Sequence, residues 1–294
     1  IMNTGKSFRQ EQNLIKENKD WARIDMNTSD NNTKTIKLTP ATKTFEIDKE
    51  QASQQKAPTI LFEPNELFLF YQNPGERRTY IDNRIAETTR GFRQTLNEYK
   101  KTLSQRNNLL KAHRGVSDTM FVWNLKLAQL GQQIATQRQE YIDTLNRRIS
   151  PVYQQISGSK ETVAVEYSSI IPINDSYVSS LLKKLEQNQE RDLLTGFTNF
   201  GPHRDDIVFK IFGNGVKNIA SRGEIRTIML ALKKIEADQL ENPTILLDDV
   251  FSELDSLRRQ KVVELFKNNQ VFITTTEADL VINKLSSPHN TIVF

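Results

Sequence analysis

The segment 244–259 constrains the fold of this 294-residue chain more than any other. Residues 245–247 form a short aliphatic run, typical of a strand buried on both faces, and two carboxylates, Asp248 and Asp249, follow it directly. In open α/β sheets ligands bind beyond the carboxyl ends of the strands. Asp248 is therefore placed to hold Mg²⁺, directly or through water, and Asp249 to polarise an attacking water. The alternative is that the two acids only cap the next helix.

Two turns near this strand favour a nucleotide site. Residues 252–255, Ser-Glu-Leu-Asp, resemble the loop that crosses to the partner subunit in ABC-type ATPases, and residues 220–224, Ala-Ser-Arg-Gly-Glu, resemble their signature loop. A Ser-x-Gly-Glu turn before a helix presents a hydroxyl and free N–H groups, which suit a γ-phosphate. Because Ser and Gly begin many ordinary helices, the turn alone is weak evidence for a nucleotide site. Its spacing to the carboxylate strand makes the evidence strong. The candidate contacts are Ser221, Gly223, Glu224 and Asp255.

Further segments resemble the RecF family of DNA replication and repair ATPases, which is related to the SMC proteins. The most specific is Gly-Pro-His-Arg-Asp-Asp at 201–206. Other matching segments follow the order of the family and extend the resemblance over essentially the whole chain. They are Ser-Phe-Arg at 7–9, Leu-Phe-Glu-Pro at 61–64, Pro-Gly-Glu-Arg-Arg at 74–78 with Asp82, and Gln-Arg-Asn-Asn-Leu-Leu-Lys at 105–111.

The resemblance implies an ATPase that uses ATP and Mg²⁺ and forms a homodimer with ATP sandwiched between its subunits. The dimer would close as a clamp on gapped single-stranded or duplex DNA and help RecO and RecR to load the RecA recombinase. Thr276 stands where ABC proteins carry a switch histidine, so its hydroxyl can contact phosphate but cannot act as a base. The alternatives are a non-catalytic DNA- or protein-binding module and, less favoured, a transporter ATPase subunit.

A phosphate-binding loop of the Gly-x-x-x-x-Gly-Lys-Ser/Thr type is missing from the sequence. Gly5-Lys6-Ser7 has the last three letters of such a loop, but the residues after it are too polar for a helix packed under a sheet. We therefore interpret this triplet as a decoy. We expect a truncated product whose first strand, loop and helix lie upstream, and a degenerate homologue is the alternative.

Positive charge is concentrated in one segment. Residues 76–150 carry 14 Lys and Arg against 7 Asp and Glu, although the whole chain has a net charge of only +4, so the remainder is net negative by three. Such a segment is either a solvated basic face or a nucleic-acid surface with salt-sensitive binding, and the family resemblance favours the second. A role for Arg204 as a structural partner of Asp205 or Asp206 is an equal alternative. The candidate DNA contacts are Arg77, Arg78, Arg84, Arg106 and Arg204.

The predicted fold is an α/β, ABC/SMC-like ATPase head. Lobe I, a mixed sheet with flanking helices, comprises 1–75 and 223–294, and lobe II, mainly helical with a small sheet, comprises 76–222. Alternating patterns predict an antiparallel meander of four strands. Helical patterns run from about 77 to 156, with a break near 115–118. The basic part falls on one predicted helix, whose apolar face comprises Ile81, Ile85, Phe92, Leu96, Tyr99 and Leu103. The four strands are at 21–26, 33–38, 43–47 and 59–62.

Composition limits the remaining functions. The absence of cysteine excludes disulfides, thiolate catalysis and Cys-ligated zinc, and the three histidines are scattered. No apolar run approaches the length needed to cross a bilayer. We therefore expect a cytoplasmic, nucleoid-associated protein without a membrane partner, in which magnesium is the metal.

Overall fold

The computed structural model describes residues 14–27, 32–51, 58–112 and 118–276. Within these ranges the chain forms three sheets, eight α-helices and a 3-10 helix, Pro64–Phe70. None of the helices in these ranges is long and apolar enough for a bilayer span. The Gly5-Lys6-Ser7 triplet lies outside the described residues, so its interpretation as a decoy stays a prediction.

The first sheet is an antiparallel meander, as predicted for three of its strands. Their polar and apolar residues alternate, and the inward residues Ile36, Leu38 and Phe45 form a small core of their own. The strands follow the order β1-β2-β3-β4. They are β1 (Ala22–Asn27), β2 (Thr33–Leu38), β3 (Lys43–Ile47) and β4 (Glu50–Gln51).

The fourth predicted strand of that meander belongs to a different sheet, so this part of the prediction is wrong. β5 (Thr59–Phe62) pairs in parallel with β9 (Thr244–Asp248), whose other neighbour is the parallel strand β10 (Val271–Thr274). The local pattern identified a strand but could not identify its partner, because Thr59 pairs with Thr244 at the far end of the chain. All three strands end at the same edge, which places their carboxyl ends together.

The basic segment forms two helices where one was predicted. The chain breaks between α1 (Pro74–Thr88) and α2 (Phe92–Lys111) at Gly91, whose φ of 87° is in the left-handed region that glycine adopts readily. The predicted apolar face is confirmed, since Ile81, Ile85 and Phe92 are almost completely buried. A 40-residue helix, α3 (Asp118–Ser157), follows, and residues 115–117 of the predicted break lie outside the described part.

A small antiparallel sheet packs against α3. It has the order β6-β7-β8 and alternates buried and exposed residues along β6. Two short helices lie between its first two strands in sequence. The elements are β6 (Val163–Ser168), α4 (Tyr177–Gln187), α5 (Gln189–Thr195), β7 (Asp206–Ile211) and β8 (Asn214–Gly215).

The last helices bring the helical part and the parallel sheet into one core. After the short α6 (Val216–Ile219), α7 (Arg222–Ala237) packs against α3 and β5 and is buried over most of its length. Helix α8 (Ser256–Leu265) follows β9 and also contacts α3. A continuous apolar cluster runs through all of these elements. The division into lobes I and II at residues 75 and 222 stays a prediction.

Candidate nucleotide site at the carboxyl edge of the parallel sheet

The two carboxylates lie at the carboxyl end of β9, and Thr274 of β10 contacts both residues. Asp248 is exposed, and its Oδ1 accepts a hydrogen bond from the Thr274 hydroxyl at 2.5 Å. Asp249 has a φ of 46°, and its N–H donates to the carbonyl oxygen of Thr274 at 3.2 Å and to the Thr274 hydroxyl at 3.1 Å. The carboxylate of Asp249 accepts no hydrogen bond from the described residues. The edge therefore fixes the position of both acids and leaves their charge available.

This edge suits a magnesium ion that is shared with phosphates. Mg²⁺ is usually bound by one or two carboxylates together with substrate phosphates and water, so a complete protein cage is not needed. The described residues contain no cluster of three or more His, Cys, Asp or Glu that could form such a cage. Asp248, with an exposed carboxylate beside the Thr274 hydroxyl, fits the more open arrangement. Thr274 was not among the predicted residues, although it lies two positions before Thr276.

A buried arginine ties the carboxylate loop to helix α7. Arg226 is 4% exposed, and its Nη1 donates to the carbonyl oxygen of Asp249 at 2.5 Å. Its guanidinium lies 5.9 Å from the centre of the Phe62 ring, and its Nη2 is 4.0 Å from a carboxylate oxygen of Glu253. Sequence reasoning missed this residue. The available signal was an arginine next to the apolar residues Ile225 and Ile228 of α7.

The Ser-x-Gly-Glu turn forms the start of α7 and is a complete capping box. The Ser221 hydroxyl accepts from the N–H of Glu224 at 3.3 Å, and a carboxylate oxygen of Glu224 accepts from the N–H of Ser221 at 2.6 Å. Ser221 is nevertheless exposed. The turn thus has a structural function in the subunit and still presents its hydroxyl to the outside.

The two predicted turns meet in the structure. A Cβ atom at Gly223 would lie 3.1 Å from the backbone oxygen of Glu253, so glycine permits this close approach. Arg222 also pairs with Glu253 at 3.0 Å. Asp255 begins α8, where its Oδ1 accepts from the N–H of Arg258 at 2.9 Å, as expected of a helix cap. Thr276 lies exposed just beyond β10.

Three of the arginines predicted to bind DNA are engaged inside the protein. Arg77 forms two hydrogen bonds with the carboxylate of Asp206, at 2.9 and 2.8 Å. Arg78 donates to the carbonyl oxygen of Asp205, and Arg84 lies 3.1 Å from Glu236 on α7. These side chains attach α1 to the elements around it. Their fit to a DNA surface is therefore poor, and their role as contacts stays a prediction.

Arg106 is buried completely, which corrects its assignment as a DNA contact. Its guanidinium donates to Asp192 at 2.7 Å, to Thr198 at 2.8 Å and to Asn124 at 2.6 Å. With no exposed surface, it cannot touch DNA in this conformation. It connects α2, α3 and α5 inside the core.

The Gly-Pro-His-Arg-Asp-Asp motif is a junction between α2 and β7. Arg204 is exposed and its Nε donates to the carbonyl oxygen of Thr198 at 3.2 Å. The alternative in which Arg204 pairs with Asp205 or Asp206 is not seen among the described residues, where those acids have other partners. Asp205 accepts from the Tyr167 hydroxyl at 2.6 Å and Asp206 is held by Arg77. The sequence could not show this, since those partners are distant in the chain.

His203 of the same motif is held as a neutral imidazole. Its Nε2 lies 3.0 Å from the carbonyl oxygen of Thr198, so this nitrogen carries the proton, and Nδ1 accepts from the Tyr99 hydroxyl at 2.7 Å. Burial lowers the pKa of His203 to about 4.

Comparison with known proteins gives the family. The RecF protein of Agathobacter rectalis, a DNA replication and repair protein, is 32% identical over 274 residues, which are 90% of this chain and 73% of that protein. The chain belongs to the RecF family. The RecF protein of Alkaliphilus oremlandii is 36% identical over 227 residues, and that of Acetivibrio thermocellus is 33% identical over 238 residues. The latter two alignments span 62% and 64% of those relatives' length.

Solved RecF structures have the same fold. The structure of the recombination mediator protein RecF-ATP in the RecFOR pathway matches with a TM-score of 0.73 and 26% identity, covering 95% of this chain and 82% of that chain. The corresponding RecF-ATPrS structure matches with a TM-score of 0.72 and the same identity. The predicted α/β fold is therefore confirmed as that of the RecF family. No protein-family model matches the chain.

Proposed function

We propose that the natural gene product that carries this RecF-family chain binds and hydrolyses ATP and acts on DNA in replication and recombinational repair. The observation that carries the proposal is the pair Asp248 and Asp249, fixed at the carboxyl edge of the parallel sheet with both carboxylates available. The related solved proteins are described as RecF-ATP complexes in the RecFOR pathway. Their similarity to this chain supports ATP as the nucleotide.

The roles of the acids follow from their positions. Asp248 would hold Mg²⁺, which when bound neutralises charge on the phosphates. Asp249 would accept a hydrogen bond from the attacking water and orient it, because its carboxylate has no partner among the described residues. Arg226 would keep Asp249 in place through the Asp249 carbonyl group. Thr276 would contact phosphate through its hydroxyl.

The Ser221 turn supports a site that is shared between two subunits. Ser221 is exposed at the start of α7, and its capping box keeps the turn rigid. In an ATP-bound homodimer each subunit would supply its carboxylates to one nucleotide, and Ser221, Gly223, Glu224 and the Asp255 loop to the other. ATP would thereby link the subunits into a clamp on gapped or duplex DNA. RecO and RecR are the proposed partners in loading RecA.

Asp249→Asn in the natural gene product that carries this chain tests the catalytic role. Asparagine tolerates the left-handed backbone as well as aspartate does, so the loop should keep its shape. We expect ATP hydrolysis, measured as phosphate release, to fall about 10²- to 10⁴-fold, the range for removal of a general base. Dimerisation on addition of ATP, measured by light scattering, should persist.

The matched control is Asp175→Asn, which changes an exposed aspartate away from the sheet edge and should leave both measurements unchanged. Unchanged hydrolysis in Asp249→Asn would remove Asp249 from the proposed role. Failure of the unaltered gene product to bind ATP at all would instead support the non-catalytic module.

A further inference from the structure

We propose that the solvent face of α2, together with Arg90 in the turn before it, is the surface that contacts the phosphate backbone of nucleic acid. This inference rests on the proposed function and names its DNA-binding site. It moves the contact away from the arginines that the sequence suggested. Arg77, Arg84 and Arg106 are held by acidic residues of the same chain, so their charge is already neutralised.

The cations on the solvent face of α2 differ from these paired arginines. They are exposed, and within the part of the chain that the structure describes none of them forms an ion pair. A free cation can release the counterions of a phosphate, whereas a cation already paired with a carboxylate must first lose that partner. The four residues are Arg90, Arg93, Lys100 and Lys101.

The spacing along α2 places two of the cations, Arg93 and Lys100, in a line. Arg93 and Lys100 are seven residues apart, which is about two helical turns and roughly 10 Å, and therefore lie on the same side of the helix. Asn97 lies between them and is also exposed. A separation of roughly 10 Å matches about three phosphate steps along one strand of a duplex. The acid on this stretch is Glu98, which accepts a hydrogen bond from Gln94 at 3.1 Å.

A groove adjoins the line formed by Arg93 and Lys100. It has a volume of about 650 Å³ and lies between the first turns of α2 and the middle of α3, beside Arg90. Its wall consists largely of uncharged hydrogen-bonding side chains, the type that contacts sugar and phosphate oxygens in nucleic-acid complexes. These side chains are Thr89, Gln94, Thr95, Gln132, Gln133, Thr136 and Gln137.

The composition of this face favours nucleic acid over an acidic protein. Protein interfaces are anchored by aromatic and aliphatic side chains that become buried on binding. The apolar residues of α2 point inward, as shown by Phe92, Leu96 and Tyr99, each at most 8% exposed. Among the described residues, none of the exposed large apolar side chains lies between 89 and 111 or between 130 and 137.

The test replaces the four cations with glutamine in the natural gene product. Binding to a single-stranded and to a gapped duplex oligonucleotide is followed by fluorescence anisotropy over a series of salt concentrations. The slope of log K against log[salt] should lose about 0.9 for each duplex phosphate contact removed, or about 0.7 for a single strand. Four lost contacts would thus lower the slope by roughly 3 to 4.

The control variant replaces four exposed cations elsewhere, Lys183, Arg191, Lys217 and Lys267, and so changes the net charge by the same amount. The inference is supported if the slope falls only in the α2 variant. The oligonucleotide for which it falls shows whether this face binds single-stranded or duplex DNA. Equal slopes in the two variants overturn the inference. The proposed function still stands in that case, provided that the wild type binds DNA. Absence of DNA binding by the wild type would overturn the proposed function itself. ATP hydrolysis should be the same in both variants.

Discussion

The interior of the helical part and the carboxyl edge of the parallel sheet are both rich in charge, but they use it differently. Around Arg106 every charge has an opposite partner, with Asp192 at 2.7 Å and no exposed surface on either side chain. At the sheet edge Asp248 and Asp249 are adjacent, and no cation of the described residues pairs with either of them. A charge inside a protein must be paired because an unpaired one costs several kcal/mol. The unpaired carboxylates of Asp248 and Asp249 therefore lie at the exposed sheet edge, where a bound cation can neutralise them.

A second buried pair shows the same rule. Arg138 of α3 forms two hydrogen bonds with Asp82 of α1, at 2.8 and 2.9 Å, and donates to the carbonyl oxygen of Pro202 at 2.6 Å. Burial alone would lower the pKa of Arg138, but the hydrogen bonds and charge of Asp82 raise it above its ordinary value. Its network reaches the Gly-Pro-His-Arg-Asp-Asp motif, so that motif is fixed by the helices packed against it.

The largest effect that this comparison predicts is on Arg106. Arg106→Met leaves Asp192 as an uncompensated buried charge, which should lower the free energy of unfolding by about 3 to 5 kcal/mol. Urea denaturation followed by circular dichroism measures the change. Arg93→Met, the same substitution on the exposed face of the same helix, should change it by less than about 0.5 kcal/mol. Similar losses in the two variants would contradict the distinction between paired interior charge and free surface charge.

A smaller effect on the free energy of unfolding is expected when the pH is lowered. The folded-state pKa of His203, about 4, lies below its value in the unfolded chain, about 6.5, so the unfolded state binds more protons between these values. The stabilising contribution is complete above pH 6.5 and is lost as the pH falls toward 4, by about 1.4 kcal/mol per pH unit at most.

Denaturation curves for the wild type and His203→Gln over this pH range check the prediction. The variant should lose less stability on acidification than the wild type does, because it lacks the titrating group. Parallel curves would show that the pKa of His203 is not lowered on folding.

The smallest effect is expected at the sheet edge. Asp248→Asn keeps an oxygen that can accept from Thr274 and removes one of two adjacent unpaired charges. The free energy of unfolding should therefore change by less than about 0.5 kcal/mol, as for other exposed substitutions. Urea denaturation without nucleotide provides the measurement. A loss near that of Arg106→Met would mean that the acid is structural and would remove the contrast between the two regions.

Much of the fold was readable from local pattern. The aliphatic run before Asp248 predicted β9, and the apolar positions Ile81, Ile85 and Phe92 predicted the buried faces of α1 and α2. These features depend on residues close in sequence, where a single period specifies an element and its inward face. The partner of β5 was predicted wrongly because strand pairing is set by contacts between distant segments.

Prediction of the candidate site was limited in the same way, because local sequence does not show contacts between distant segments. Adjacent motifs pointed to Asp248, Asp249 and Ser221, but Thr274 and Arg226 became visible only when β10 and α7 were placed beside β9. Basic composition likewise identified a positively charged segment without separating Arg106 from Arg93, two arginines of one helix on opposite sides of it.

The sequence by itself determined the family, the main elements and the acidic pair that follows a buried strand, because each is encoded by neighbouring residues. Only the tertiary structure decided which charges are neutralised inside the protein and which remain for a ligand. The physical reason is that the state of a charge depends on its burial and on the nearest opposite charge. For Arg106 and Arg77 that opposite charge belongs to a residue far away in the chain.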